Sequence, residues 1–99
     1  MRINTEARAA LVQSVRSVAP DAKTIRLFGS RLDDHARGGD VDLMVEFDHP
    51  IERPALLAAR IGVQVSRILA GRSVDVVLKA PNLKECSIHR VATATGIAL

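Results

Sequence analysis

Apolar residues recur at helical spacing in three segments of the chain. The first covers residues 5–19 and ends before Pro20, the second covers residues 54–70 and ends at Gly71, and the third covers residues 83–95 and ends at Gly96. Proline and glycine are typical helix terminators, so the pattern predicts three helices. Their predicted inward-facing residues are Ala7, Leu11, Val15 and Val18; Leu57, Ile61, Val65 and Ile68; and Ile88 and Val91.

Between these helices the pattern changes to a period of two, which is typical of strands. Residues 23–28, 40–45 and 73–79 are the predicted strands, and residues 97–99 can add a short edge strand. A chain of 99 residues that alternates helices and strands without a repeat or a linker predicts a single domain over residues 1–99.

Acidic residues interrupt two of the predicted strands. Alternation directs Asp40 and Asp42 to one side of their strand and the intervening apolar residues to the other, and it separates Asp75 from its apolar neighbours in the same way. Converging carboxylates repel one another and raise their pKa values unless a cation is present. Mg²⁺ prefers a few carboxylate oxygens together with waters and substrate phosphates. Asp40, Asp42 and Asp75 therefore favour a metal–phosphate site, with an ordinary acidic sheet edge as the alternative.

A Gly-Ser turn at the end of the first predicted strand suits phosphate binding. Gly29 lets the backbone turn sharply and approach a ligand closely, and backbone N–H groups around Ser30 can bind phosphate oxygens. Nine residues separate Ser30 from Asp40, which is enough chain to fold the turn back over the carboxylates. Arg31 and Arg37 are further candidates for phosphate contacts, each with a solvated surface arginine as the alternative.

Composition and charge limit the other classes of function. The net charge is +3 and arginine outnumbers lysine, which suits phosphate-bearing ligands. A nucleic-acid interface is not favoured, because the basic residues are scattered and only Phe28 and Phe47 are aromatic. Cys86 is the single cysteine, and no signal peptide or membrane-spanning run of about 20 apolar residues occurs, so we expect a cytoplasmic protein without a disulfide.

Gly29-Ser30, a loop, and Asp40-x-Asp42 between apolar residues together resemble the signature of nucleotidyltransferases of the DNA polymerase β superfamily, and the short length is most similar to the minimal nucleotidyltransferases. The resemblance implies an α/β (α+β) fold, with a small mixed β-sheet and helices packed on one face. It implies that Gly29, Ser30 and Arg31 bind the nucleotide. Asp40, Asp42 and Asp75 would be the catalytic and metal-binding residues, with two Mg²⁺ ions and ATP as substrate.

The resemblance also implies a partner, because minimal nucleotidyltransferases often act as antitoxins to a HEPN-type toxin and transfer AMP to a toxin tyrosine. The expected function is therefore Mg²⁺-dependent protein adenylylation within a toxin–antitoxin pair, which could form a hetero-oligomer. This chain contains no tyrosine, so it cannot modify itself at that residue type. Two alternatives remain: an antitoxin that only masks its toxin, and nucleotide transfer to RNA or to a small molecule.

Overall fold

The computed structural model describes residues 5–28, 41–69, 71, 74–84, 89, 92 and 97–99. In chain order the elements with continuous bounds are α1 (Thr5–Val18), β1 (Thr24–Phe28), β2 (Val41–Glu46), α2 (Pro54–Ile68), β3 (Val74–Lys79) and β4 (Ile97–Ala98). The predicted bounds of these elements agree with the described ones to within two residues. Neither described helix is long and apolar enough to cross a membrane.

The four strands form one mixed sheet in the order β3-β2-β1-β4. Strand β1 pairs antiparallel with β2 and with β4, whereas β2 pairs in parallel with β3. Parallel neighbours need a crossover connection, because both strands run in the same direction and the chain has to return to the starting edge. Helix α2 lies in that connection, which explains why the second predicted helix falls between two predicted strands.

Helices α1 and α2 cover one face of the sheet, as the fold-class prediction stated. Ile68, predicted to face inward, is exposed. Alternate strand residues and most of the inward stripe of each helix form one aliphatic core between the two layers. Its most deeply buried members are Leu11 and Val15, Ile25 and Leu27, Leu43 and Val45, and Ile61 and Val65. Burying a side chain of this size contributes about 1.5–3 kcal/mol, so this layer accounts for much of the stability.

The opposite face of the sheet carries a smaller apolar cluster. Phe28 and Met44 are buried there together with Ala92, and Val77 packs against them. Ala92 and His89 are both helical and both buried, in agreement with the third predicted helix. The ring Nε2 of His89 lies 2.9 Å from the carbonyl oxygen of Leu78.

The predicted start of the third helix is wrong. Leu83 and Lys84 are not helical, because the backbone N–H of Leu83 donates to the carbonyl of Ala80 in a turn that contains Pro81. The predicted inward residues Ile88 and Val91 lie outside the described part of the chain.

Hydrogen bonds close the end of the sheet at which β2 and β3 finish. The backbone N–H of Lys23 donates to Glu46, and that of Phe47 donates to Lys79, at 2.7 and 2.8 Å. The side-chain amide of Asn82 accepts from the backbone N–H of Ile51 and donates to its carbonyl, at 2.9 and 2.8 Å. These bonds fix the turn that leads into α2, and with it the register of the parallel pair.

Gly62 lies within α2 and Gly71 follows its C-terminus, and the two give opposite predictions for substitution by alanine. Gly71 has a φ of +81°, and its N–H donates to Ser66 at the helix end. A Cβ at Gly62 would lie 3.7 Å from Val76, which is ordinary van der Waals contact. We expect Gly62→Ala to raise the free energy of unfolding by about 0.5–1 kcal/mol, through helix propensity. Gly71→Ala should lower it by about 1–2 kcal/mol, through left-handed backbone strain.

Urea denaturation of the two variants beside the wild type measures both changes. A stability loss in Gly62→Ala would contradict the described spacing between α2 and β3. An unchanged stability in Gly71→Ala would contradict the left-handed helix end.

Candidate active site

The parallel register of β2 and β3 places two carboxylates side by side. Asp42 of β2 is the register partner of Asp75 of β3, and neighbouring strands lie about 4.8 Å apart. Both residues alternate with apolar residues of the core, so both lie on the sheet face opposite α1 and α2. Asp42 is half-buried and Asp75 is exposed. Asp42 and Asp75 therefore share one face of the sheet.

A second charged pair on the same two strands shows what is unusual about the first. Glu46 and Lys79 are also register partners, near the other end of β2 and β3 and on the same face. Opposite charges across a strand pair are stabilising, whereas like charges directly opposite each other are destabilising. The sheet therefore carries opposite charges at one end of this strand pair and two like charges at the other. Adjacent carboxylates are expected where a positively charged ligand binds.

Buried apolar residues lie beside Asp42 on the same face of the sheet. Phe28, the last residue of β1, is the register partner of Asp42 and is almost fully buried. Met44 follows two residues later on the same face of β2 and contacts the same apolar cluster. This packing fixes the strand ends and lowers the local polarity, which strengthens electrostatic interactions of Asp42 with a bound cation.

Several predicted site residues lie outside the described part of the chain. They are Gly29, Ser30, Arg31, Arg37 and Asp40. The segment that contains them begins directly after Phe28, which is the register partner of Asp42, and ends directly before Val41, which precedes Asp42. Among the described residues no three metal-ligating side chains lie together, so Asp42 and Asp75 are the part of the predicted site that the structure describes.

The donor chemistry of this pair fits a hard divalent cation. Carboxylate oxygens on two rigid strands are ligands that Mg²⁺ accepts, and Mg²⁺ keeps several waters or substrate oxygens rather than needing a complete protein cage. The exposed position of Asp75 leaves the outer side of the pair open to a ligand.

Comparison with protein families decides how this arrangement is classified. Residues 9–95 match the model of the nucleotidyltransferase domain family, which is most of the chain. The chain belongs to the nucleotidyltransferase domain family. No curated protein sequence gives a significant match.

Solved structures share the fold of this nucleotidyltransferase domain. One is a complex of a tri-AMPylated HEPN toxin from Shewanella oneidensis with its MNT antitoxin, at 16% identity and a TM-score of 0.67, covering 97% of this chain and 71% of that one. A variant of the MntA toxin–antitoxin complex with two aspartate-to-glutamate substitutions matches at 17% identity and a TM-score of 0.69, with coverage of 97% and 71%. A protein from Sulfolobus solfataricus described as a nucleotidyltransferase matches at 21% identity and a TM-score of 0.51, with coverage of 94% and 76%.

One basic residue on the carboxylate face was not singled out from the sequence. Arg26 is the register partner of Met44, and alternation places it on the same face as Phe28. Its side chain is half-buried, and its Nε is shielded from solvent without a hydrogen-bond partner among the described residues. The period-two pattern of β1, read backwards from Phe28, could have identified it as a cation beside the site.

The two charged pairs give opposite predictions at low salt. Asp75→Asn removes a like-charge contact and should raise the free energy of unfolding by about 0.2–1 kcal/mol in metal-free buffer. Glu46→Gln removes the negative member of an opposite-charge pair and should lower it by a similar amount. Both effects should shrink at about 1 M NaCl, where the Debye length is about 3 Å.

Chemical denaturation in the presence of a chelator, at low and high salt, measures these changes. A destabilised Asp75→Asn variant at low salt would contradict the repulsion between Asp42 and Asp75.

Proposed function

We propose that this nucleotidyltransferase domain transfers AMP from ATP, with Mg²⁺, to a hydroxyl group of a partner protein. The observation that carries the proposal is the register of Asp42 with Asp75 on a nucleotidyltransferase fold. Asp42 and Asp75 face each other across neighbouring strands of the sheet. They are suited to holding a divalent cation beside a polyphosphate.

Each proposed site residue has a distinct task. Asp42 and Asp75, with Asp40, would hold Mg²⁺, and bound Mg²⁺ would neutralise the charge that develops on the phosphate oxygens. Gly29 and Ser30 would bind the phosphates through backbone N–H groups and the serine hydroxyl, with Arg31 as an additional donor. These residues hold the α-phosphate in line with the acceptor, and such positioning provides a large part of the rate.

The proposed reaction is a substitution at the α-phosphorus of ATP. The acceptor hydroxyl oxygen forms a new bond to the α-phosphorus, and the bond from this phosphorus to the oxygen that bridges to the β-phosphate breaks. Pyrophosphate leaves with the electron pair of that bond. The carboxylate of Asp75 accepts the hydroxyl proton, which its exposed position permits.

We further propose that the acceptor is a tyrosine of a HEPN-type toxin in the cytoplasm, for which this chain is the antitoxin. The support is the fold shared with an MNT antitoxin that is bound to a tri-AMPylated HEPN toxin. The absence of tyrosine from this chain agrees with an acceptor on another molecule. A second candidate is an antitoxin that acts by binding alone, since the related structures are toxin–antitoxin complexes.

The decisive experiment is transfer of label from α-³²P-ATP to the candidate toxin, the product of the gene next to this one. The wild type with Mg²⁺ should label the toxin, and removal of Mg²⁺ by a chelator should abolish the labelling. Asp42→Asn should reduce the rate at least about a hundredfold, the size expected for loss of a group that stabilises transition-state charge. Glu46→Gln is the matched control on the same face of β2, and its rate should stay within about twofold of the wild type.

Four outcomes are distinguishable. Label on the toxin that disappears in Asp42→Asn supports the enzyme. A stable complex without label, and toxin neutralisation that survives Asp42→Asn, supports masking alone. Neither label nor complex would overturn the toxin partner and direct the search to RNA or small-molecule acceptors. Equal labelling by Asp42→Asn would overturn the assigned role of this aspartate.

A further inference from the structure

The outward side of α2 carries arginine and aliphatic residues in alternation. These are Arg53, which precedes the first helical residue, and Leu56, Arg60, Val63 and Arg67, which we call the α2 stripe. Their spacing of three and four residues keeps them on one side of the helix. Arginines seven residues apart lie about two turns, or about 10.5 Å, from one another along the axis. The stripe is therefore a straight row of cations with an aliphatic side chain between each two.

All five residues of the α2 stripe are exposed. Leu56 and Val63 keep 49% and 52% of their surface accessible, which is high for large aliphatic side chains on a helix with a buried face. Within the described residues, none of the three arginines makes an ion pair with a carboxylate. The row thus combines uncompensated charge with uncovered apolar surface, and each of these is a property of a binding surface.

Two adjoining grooves lie along the α2 stripe, and Arg60 lines both of them. A groove of about 420 Å³ between α1 and α2 is lined by Ser17, Val18, Ala59, Arg60, Val63 and Gln64. A second groove of about 320 Å³ lies toward the start of α2 and includes Arg53, Leu56 and Arg60 in its lining. Together they can receive side chains from a partner that lies along α2.

We infer that the α2 stripe binds an acidic amphipathic helix of a partner protein. A helix that presents carboxylates at seven-residue spacing would match the spacing of Arg53, Arg60 and Arg67, and its leucines would cover Leu56 and Val63. Charge complementarity selects an acidic partner, because residues 51–69 contain a single carboxylate, Glu52, beside these three arginines. Arginine also favours such contacts because it binds carboxylates with two parallel hydrogen bonds.

The same features argue against two other occupants. A second copy of this chain would bring one stripe against another and oppose arginine to arginine, which costs free energy. Nucleic acid would satisfy the arginines but would leave Leu56 and Val63 against phosphates, and the stripe has no aromatic side chain on which bases could stack.

The α2 stripe is separate from the proposed active site. It lies on the outer side of the helix layer, whereas Asp42 and Asp75 lie on the sheet face opposite α1 and α2. A partner helix on the stripe would leave the carboxylates accessible. The inference therefore does not depend on the proposed nucleotide transfer.

The test uses the full chain and a fluorescein-labelled 21-residue helical peptide with three heptads, each carrying Glu and Leu at the positions that face the stripe. A peptide of the same composition in scrambled order is the control for charge alone. Fluorescence anisotropy at low salt should give a Kd at least about tenfold lower for the patterned peptide. Arg60→Glu and Val63→Asp should each raise that Kd at least about tenfold, with circular dichroism confirming that both variants fold.

Two matched comparisons separate docking from damage to the fold. Lys23→Glu makes the same charge reversal at an exposed lysine outside α2 and should change the Kd by less than about twofold. A peptide whose central Glu is replaced by Lys should bind Arg60→Glu better than it binds the wild type, which only direct pairing with position 60 explains.

Equal binding of the patterned and scrambled peptides would overturn the inference, and so would the absence of peptide binding. Tighter binding of a 20-base-pair DNA duplex that is lost in Arg60→Glu would assign the α2 stripe to nucleic acid instead. Sedimentation that shows a dimer of the wild type and a monomer of Val63→Asp would assign it to self-association. Each of these results would replace the acidic helix as the occupant.

Discussion

The parallel pairing of β2 with β3 is the constraint on which the candidate site depends. This pairing aligns Asp42 with Asp75, and a slip of one residue would turn one of the two aspartates into the aliphatic core. The core therefore protects the register of the carboxylates, because burying either one among Leu43 and its neighbours would cost several kcal/mol. The repulsion between the two aspartates is small beside that cost.

The division of the molecule into two layers separates stability from chemistry. Helices α1 and α2 and the inner face of the sheet hold the large aliphatic core, while the described residues of the other face hold a small cluster of Phe28, Met44 and Ala92. Asp42 and Asp75 lie on that second face. A chain of 99 residues can tolerate two like charges there because the opposite layer provides most of the described burial.

The charged pairs at the two ends of β2 and β3 differ, with opposite charges at one end and like charges at the other. Glu46 beside Lys79 balances charge at the end closed by the hydrogen bonds of Lys23 and Phe47. The like-charge pair stands at the other end, next to the point where β1 finishes at Phe28. The candidate site and the hydrogen bonds that close the sheet are thus at opposite ends of one strand pair.

Much of the fold could be predicted from the sequence, because strong periodicity coincides with clear terminators. The stripe of Leu57, Ile61 and Val65 and the alternation around Asp42 identify α2 and β2 directly. The start of the third helix could not be predicted, because Leu83 fits a helical pattern and its turn depends on a hydrogen bond to Ala80.

The candidate site was only partly predictable. Alternation gives the face of each aspartate but not the register between two strands, so the alignment of Asp42 with Asp75 needed the sheet. Arg26 was missed because a single arginine in a strand is usually interpreted as a solvent-exposed residue. Its shielded Nε is a consequence of tertiary packing on the carboxylate face. The roles of Gly29, Ser30, Arg31 and Asp40 stay predictions.

The most direct test of the joint role of Asp42 and Asp75 is a double-mutant cycle on the affinity for ATP in the presence of Mg²⁺. Isothermal titration calorimetry on the wild type, Asp42→Asn, Asp75→Asn and the double variant gives the four dissociation constants. If the two aspartates hold one cation beside the nucleotide, either single change removes most of the Mg²⁺-dependent affinity and the double variant loses little more. Additive losses, or an affinity that none of the changes affects, would contradict a shared site.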